Sequence, residues 1–201
     1  MDNGKVIASI TTSVDGYITG PDDGPGTGLG VGGERLHYWV FGGPWTYESD
    51  RGGEMGPEDR EFFDLLVTDM GAAICGRGMY EAAGAWGGEN PFGGTLFVLT
   101  HRAQDAPDPS TGFVFVDSFD EALERAVKEA AGRNVGVGGG ADVIRQALTK
   151  GVVDELAISV APVVLGGGKR LFDGFTKDVD LEILTVHHSS YATHTRYAVV
   201  R

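Results

Sequence analysis

Two arginines, two adjacent acids and a run of three glycines hold most of the chemistry that this sequence could perform. The glycines lie in "NVGVGGGADVIRQALTKG", Asn134 to Gly151, where Gly136, Gly138 and Ala141 satisfy the spacing G-x-G-x-x-G/A. Glycines so placed let backbone N–H groups approach a pyrophosphate at the start of a helix. The same run could equally make a bare tight turn, so the rest of the chain must decide. Arg77 follows Gly76, and Arg102 follows Thr100 and His101 at the end of "TLFVLT". A guanidinium can bind two phosphate oxygens at once, but a lone arginine is more often a solvated charge. Glu58 and Asp59 open the amphipathic stretch "PEDREFFDLLVTDM", with Asp59 three residues before Phe62. A carboxylic acid beside aromatic rings can hold or deliver a proton. Acids in a first helical turn are also favoured by the helix dipole alone.

Other reactive side chains point to less. His187, His188 and His194 fall on adjacent strand candidates, yet they lack a Cys or carboxylate at ligand spacing, so no metal site is expected. The single cysteine, Cys75, cannot form an internal disulfide and stands in an apolar run, which reads as an inert buried thiol. Asp15 with Gly16 reads as a structural turn, and Trp86 as packing. Lys169 and Arg170 after "LGGG" could meet a substrate phosphate or be surface charge. A net charge of −13 and a pI near 4.6 argue against nucleic-acid or anionic-membrane partners. "MDNGKVIASI" lacks a signal-peptide pattern, and no apolar run approaches the roughly 20 residues that span a bilayer. A cytoplasmic protein is expected.

The elements that must position these groups alternate. Strands are expected at Val6 to Thr12, Ala72 to Cys75, Leu96 to Thr100, Phe113 to Val116, Val135 to Val137, Glu155 to Val160, Leu181 to His187 and Tyr191 to Val200. Helices are expected at Pro57 to Met70, at Phe119 to Ala131 behind the Ser118/Glu121 capping box, and at Ala141 to Leu148 before Gly151. Alternation of this kind implies a mostly parallel sheet flanked by helices, closed by a C-terminal antiparallel hairpin. One domain, residues 1–201, is expected. Its pattern breaks between Gly20 and Gly56, where glycine and proline are dense but Leu36, Tyr38, Trp39, Phe41 and Trp45 also occur. A loop that long with so many aromatics should pack over an active site or an interface.

The glycine spacing alone would suit a Rossmann fold. There the acid that binds the ribose lies at the C-terminal end of the next strand, whereas Asp154 and Glu155 start theirs, and the glycines come late in the chain. Read together, "TSVDGYITG", "CGRGMYE", "LTHR", "VGGGADVIRQAL" and "DELAISVAPVVLGGGKRLF" resemble in order and spacing the dihydrofolate reductase-like family, above all its branch with the reductase domain of riboflavin biosynthesis. The likeness spans most of the chain except Pro21 to Met55.

That resemblance implies an α/β fold of this family and the use of NADPH. It implies that Gly76, Arg77, Thr100, His101, Arg102, Gly138, Gly139, Gly140 and Ala141 bind the cofactor, with Thr100 to Arg102 around the 2′-phosphate and the glycines against the pyrophosphate. Met79 stands where the family commonly has Thr. Asp59 takes the place of the family's acid, with Glu58 as its rival, and Ser159 the place of a hydroxyl in that acid's hydrogen-bond network. Thr11, Ile18, Phe62 and Phe63 would line the substrate pocket. The expected activity is hydride transfer to a C=N or C=O bond of a small heterocycle, of pterin or ribosylaminopyrimidine type, by a possible homodimer. A second expectation keeps the fold and the NADPH site but no catalysis, as a sensor or interaction module. The bifunctional riboflavin enzymes also carry a zinc deaminase domain, which needs several Cys or His ligands; one cysteine does not supply them.

Overall fold

The computed structural model describes residues 4–49 and 53–201. Eight strands form one sheet: β1 (Val6–Ser13), β2 (Met70–Gly76), β3 (Thr95–Leu99), β4 (Phe113–Val116), β5 (Asn134–Val137), β6 (Glu155–Ala161), β7 (Leu181–His188) and β8 (Thr193–Val199). Their spatial order is β4-β3-β2-β5-β1-β6-β8-β7. Pairings from β4 through to β6 are parallel, and β6–β8 and β8–β7 are antiparallel. The expected mixed sheet and C-terminal hairpin are therefore present.

Period-two alternation sorts the strand residues between two faces. Val6, Ala8, Ala72, Ile74, Val137 and Leu156 pack with helices α3 (Phe119–Ala130) and α4 (Ala141–Lys150). Ile7 and Ala157 meet Phe62 and Leu66 of α1 (Pro57–Val67), while Cys75, Leu96 and Phe113 meet Met79 and Tyr80 of α2 (Arg77–Ala82). The helix α3 lies close on the sheet at Gly71, where an added Cβ would come within 2.6 Å of the Ala130 backbone.

Several expected boundaries shift by a residue or more, three of them with a visible cause. Helix α1 stops at Val67, and Met70 instead begins β2, because the apolar stripe of the helix runs straight into that of the next strand. Strand β8 begins at Thr193, since Tyr191 belongs to the turn closed by the Ser189 hydroxyl, which accepts from the amides of Tyr191 and Ala192. Ala131, placed in α3 from sequence, is its left-handed cap at φ 52°.

Among its described residues the aromatic stretch has one short 3₁₀ turn, Gly33–His37, and is otherwise irregular. It is nonetheless packed: Leu36, Trp39 and Trp45 are buried. Its middle and its C-terminal end meet at Gly42, where an added Cβ would stand 1.8 Å from the Glu54 carbonyl oxygen. The part of this stretch at 50–52 lies outside the described residues.

Candidate functional site

Asp59 sits in the first turn of α1 behind Pro57, yet it turns inward and is only 1% exposed. Its Oδ1 meets His194 Nε2 at 2.8 Å, and His194 Nδ1 meets Ser159 Oγ at 2.7 Å. The acid and the hydroxyl expected to work together are thus joined through an imidazole. The antiparallel register puts Ser159 of β6 opposite His194 of β8, which places the ring over the start of α1. His194 is fully buried, stacked on Phe62 at 4.3 Å between centroids and edge-on to Trp39 at 4.9 Å. Trp39 Nε1 donates to Thr11 Oγ1 at 3.1 Å, so the aromatic stretch closes this network from above.

Burial holds the His194 pKa below its usual value, against the opposing hydrogen bond and charge of Asp59. Its ring is neutral at neutral pH, and the two nitrogens take complementary roles. Serine, histidine and aspartate in a row resemble a hydrolytic triad, but Ser159 lies mid-strand and 3% exposed, out of reach of a substrate carbonyl. The arrangement positions the acid. Asp59 and Glu58 both reach a cleft of about 420 Å³, lined also by Glu54 and the turn from His188 to Tyr191.

Sequence reasoning placed His194 only among metal candidates. Among the described residues, no three His, Cys, Asp or Glu side chains gather to hold a metal. The signal that could have found its role was the hairpin register, which sets it opposite Ser159. Of the other pocket candidates, Thr11 and Phe62 meet at Trp39. Ile18 packs in the core cluster with α3 and α4, and Phe63 lies half-buried with Arg60 5.9 Å over its ring.

The second group of residues gathers at the C-terminal edge of the parallel strands, the edge where open α/β sheets bind ligands. Gly76 N donates to Gly139 O at 2.9 Å and Gly138 N to Ile74 O at 2.8 Å, which joins the ends of β2 and β5. The Gly139–Gly140 peptide is cis. A Cβ on Gly140 would meet nothing within 4 Å, and one on Gly139 would touch Ile10 and Met79 at 3.4 Å. Packing within the chain therefore leaves room above the glycines. Arg77 lies against Phe115, 4.8 Å from the ring centroid, and its Nη1 is buried with no hydrogen-bond partner. Thr100 is buried, its Oγ1 accepting from Arg102 N at 3.1 Å; His101 and Arg102 are exposed beside it. Ala141 opens α4.

Several other residues have structural roles. Asp15 accepts from the Ser13 hydroxyl and from the amides of Leu165 and Gly166, which holds its carboxyl down at about 2 and ties the turn after β1 to the "LGGG" segment. Lys169 pairs with Asp23, and Arg170 lies 4.6 Å over the Tyr17 ring. Cys75 is buried, and burial pushes its thiol up to about 12. Trp86 packs among Tyr80, Phe92 and Phe113.

Residues 4–195 match the RibD C-terminal domain family. The chain belongs to that family. It is 27% identical over 154 residues to YwjB of Bacillus subtilis, an alignment that spans 76% of this chain and 84% of YwjB. In fold it resembles a protein of Shewanella sp. PV-4 at TM-score 0.69, with 20% identity and coverage of 98% and 99% of the two chains. Its likeness to the dihydrofolate reductase of Enterococcus faecalis, solved in complex with NADP(H), has a TM-score of 0.58 at 18% identity and covers 98% and 97%.

Proposed function

We propose that this family member is an NADPH-dependent reductase that moves hydride to a C=N or C=O bond of a small heterocycle of pterin or ribosylaminopyrimidine type. The observation that carries the reading is the orphaned, buried Nη1 of Arg77 at the strand edge, beside glycines with open space above them. A buried guanidinium nitrogen without a partner is costly unless a ligand completes it. The donor set fits a dinucleotide: Arg77 and Arg102 for phosphates, Thr100 and His101 beside them, and Gly138, Gly139, Gly140 and Ala141 for the close approach of a pyrophosphate.

When bound, NADPH supplies the hydride. Reduction of a C=N bond leaves a nitrogen that needs a proton, and Asp59 at the cleft is the group placed to pass it one. His194 lets it do so. With Asp59 ionised, Nε2–H donates to the carboxylate and the Ser159 hydroxyl donates to Nδ1. With Asp59 protonated, the tautomer reverses, and Nδ1–H donates to the Ser159 oxygen. In both states the ring keeps its two hydrogen bonds.

The protein should act in the cytoplasm on a small molecule; among the described residues, no helix is long and apolar enough to cross a membrane. A second copy of the chain is the partner that suits β7, an edge strand with Leu181, Ile183, Leu184 and Val186 exposed, because two such edges can pair antiparallel about a two-fold axis. Light scattering at two concentrations reads that state.

The deciding experiment follows NADPH oxidation by the purified protein against dihydrofolate, a ribosylaminopyrimidine, a flavin and simple imines. Turnover on one heterocycle supports the reductase. Tight NADPH binding with no turnover on any of them selects the sensor reading instead.

A further inference from the structure

Glu81 joins the two arginines. Its Oε1 accepts from Arg77 Nε at 2.9 Å and from Arg102 Nη2 at 2.9 Å. Arg102 Nε also lies 3.8 Å from Asp105 Oδ2. Two cations and two carboxylates leave this cluster with no formal charge, within a chain of net charge −13. A 2′-phosphate arriving here meets arginines that are already compensated. It must displace the Glu81 carboxylate or share Arg102 with it, and like charges held so close repel. A ribose with a free 2′-hydroxyl meets no such opposition, since a carboxylate can accept a hydrogen bond from a hydroxyl.

We propose that Glu81 is a specificity-determining residue of the dinucleotide site: a resident counter-anion that narrows the preference for the 2′-phosphorylated cofactor by occupying the arginine pair that would hold it. This inference rests on the reading of the strand edge as a dinucleotide site. The arrangement also makes Glu81 easy to displace. Its side chain is 48% exposed and that of Arg102 56%, and ion pairs so exposed add little to stability. Arg77, at 21%, stays anchored by Phe115 when the carboxylate swings away. Its free Nη1 is then joined by Nε as a second donor.

The test is calorimetric titration of the wild type and Glu81→Gln with NADP⁺ and with NAD⁺, two ligands that differ only in the 2′-phosphate. Circular dichroism and a melting curve confirm that the variant is folded. Glu81→Gln should bind NADP⁺ roughly three to ten times more tightly at low ionic strength and NAD⁺ about as before, with the gain shrinking as salt screens the cluster. Asp105→Asn, which relaxes a longer contact, should shift the ratio the same way by less. Equal changes for both dinucleotides, or weaker NADP⁺ binding, would overturn the proposal and leave the dinucleotide site standing. Failure of the wild type to bind either ligand would remove the site itself and the proposal with it.

Discussion

The two candidate regions are built on opposite principles. Around Asp59 the side chains of Asp59, His194 and Ser159 are hydrogen-bonded in a row, and Phe62 and Trp39 seal the ring between them. At the strand edge the Arg77 Nη1 lacks a partner, the space over Gly140 is open, and the charges lie near the surface. A region closed on itself fixes geometry. A region left incomplete marks where a ligand supplies the remaining contacts. Chemistry and cofactor binding should therefore be separable by mutation.

The largest expected effect is on chemistry. Asp59→Asn should lower turnover by about 10²–10⁴-fold and leave NADP⁺ affinity unchanged. Parallel kinetics and titration check this, and equal losses in both would show that the two regions act as one. Gly140→Val should do the reverse: the chain has room for the side chain, so the melting temperature stays near that of the wild type, while NADP⁺ affinity falls on the order of a hundredfold. An unchanged affinity would make the glycines a mere turn. Arg102→Ala should weaken NADPH binding by roughly tenfold and NADH binding little, as expected for one charge-assisted contact on an exposed side chain.

The smallest effect is on stability, and its upper part belongs to the closed region. His194 has a lowered pKa in the folded chain, so the unfolded chain takes up its proton first as pH falls. Stability is then present above the ordinary histidine value of 6.5 and declines as pH drops below it. Glu155 behaves differently. Burial raises its pKa, but hydrogen bonds from Lys5 and Arg196 outweigh burial and lower it, so its contribution is lost only as pH falls below the ordinary value of 4.5. Melting curves should show two separate declines, and His194→Gln should flatten the upper one. A melting temperature that stays level between about pH 7.5 and 5.5 would contradict the neutral, desolvated imidazole.

Much of the fold was legible because alternation and helical periodicity are local. Phe113 to Val116 is a strand as read, and α4 ends at Gly151, its left-handed cap. Met70 was misassigned because a helix and a strand with continuous apolar stripes cannot be divided by periodicity alone. In the site, Asp59 and Ser159 stood out by residue type and place, but the imidazole between them depends on the β6–β8 register, which no local pattern reports. The aromatic stretch announced that it would pack, without saying that Trp39 would cap His194. The bridge made by Glu81 was equally hidden. Its i,i+4 pairing with Arg77 is readable in "RGMYE", whereas its contact with Arg102 crosses 21 residues.

The strand order also bears on how the chain comes to be folded. Strand β1 is made first, yet its neighbours are β5 and β6, whose residues begin at Asn134 and Glu155. At a ribosomal pace of roughly 5–20 residues per second, Val6–Ser13 waits on the order of ten seconds for both hydrogen-bonding edges to be covered. Pairings across such sequence distances are slow to form, and an apolar strand open on both sides attracts other chains in the meantime. Newly synthesised molecules should therefore depend on chaperone protection until β6 emerges, and variants that weaken β6 should reveal themselves as aggregates during synthesis before they show any defect in the finished protein.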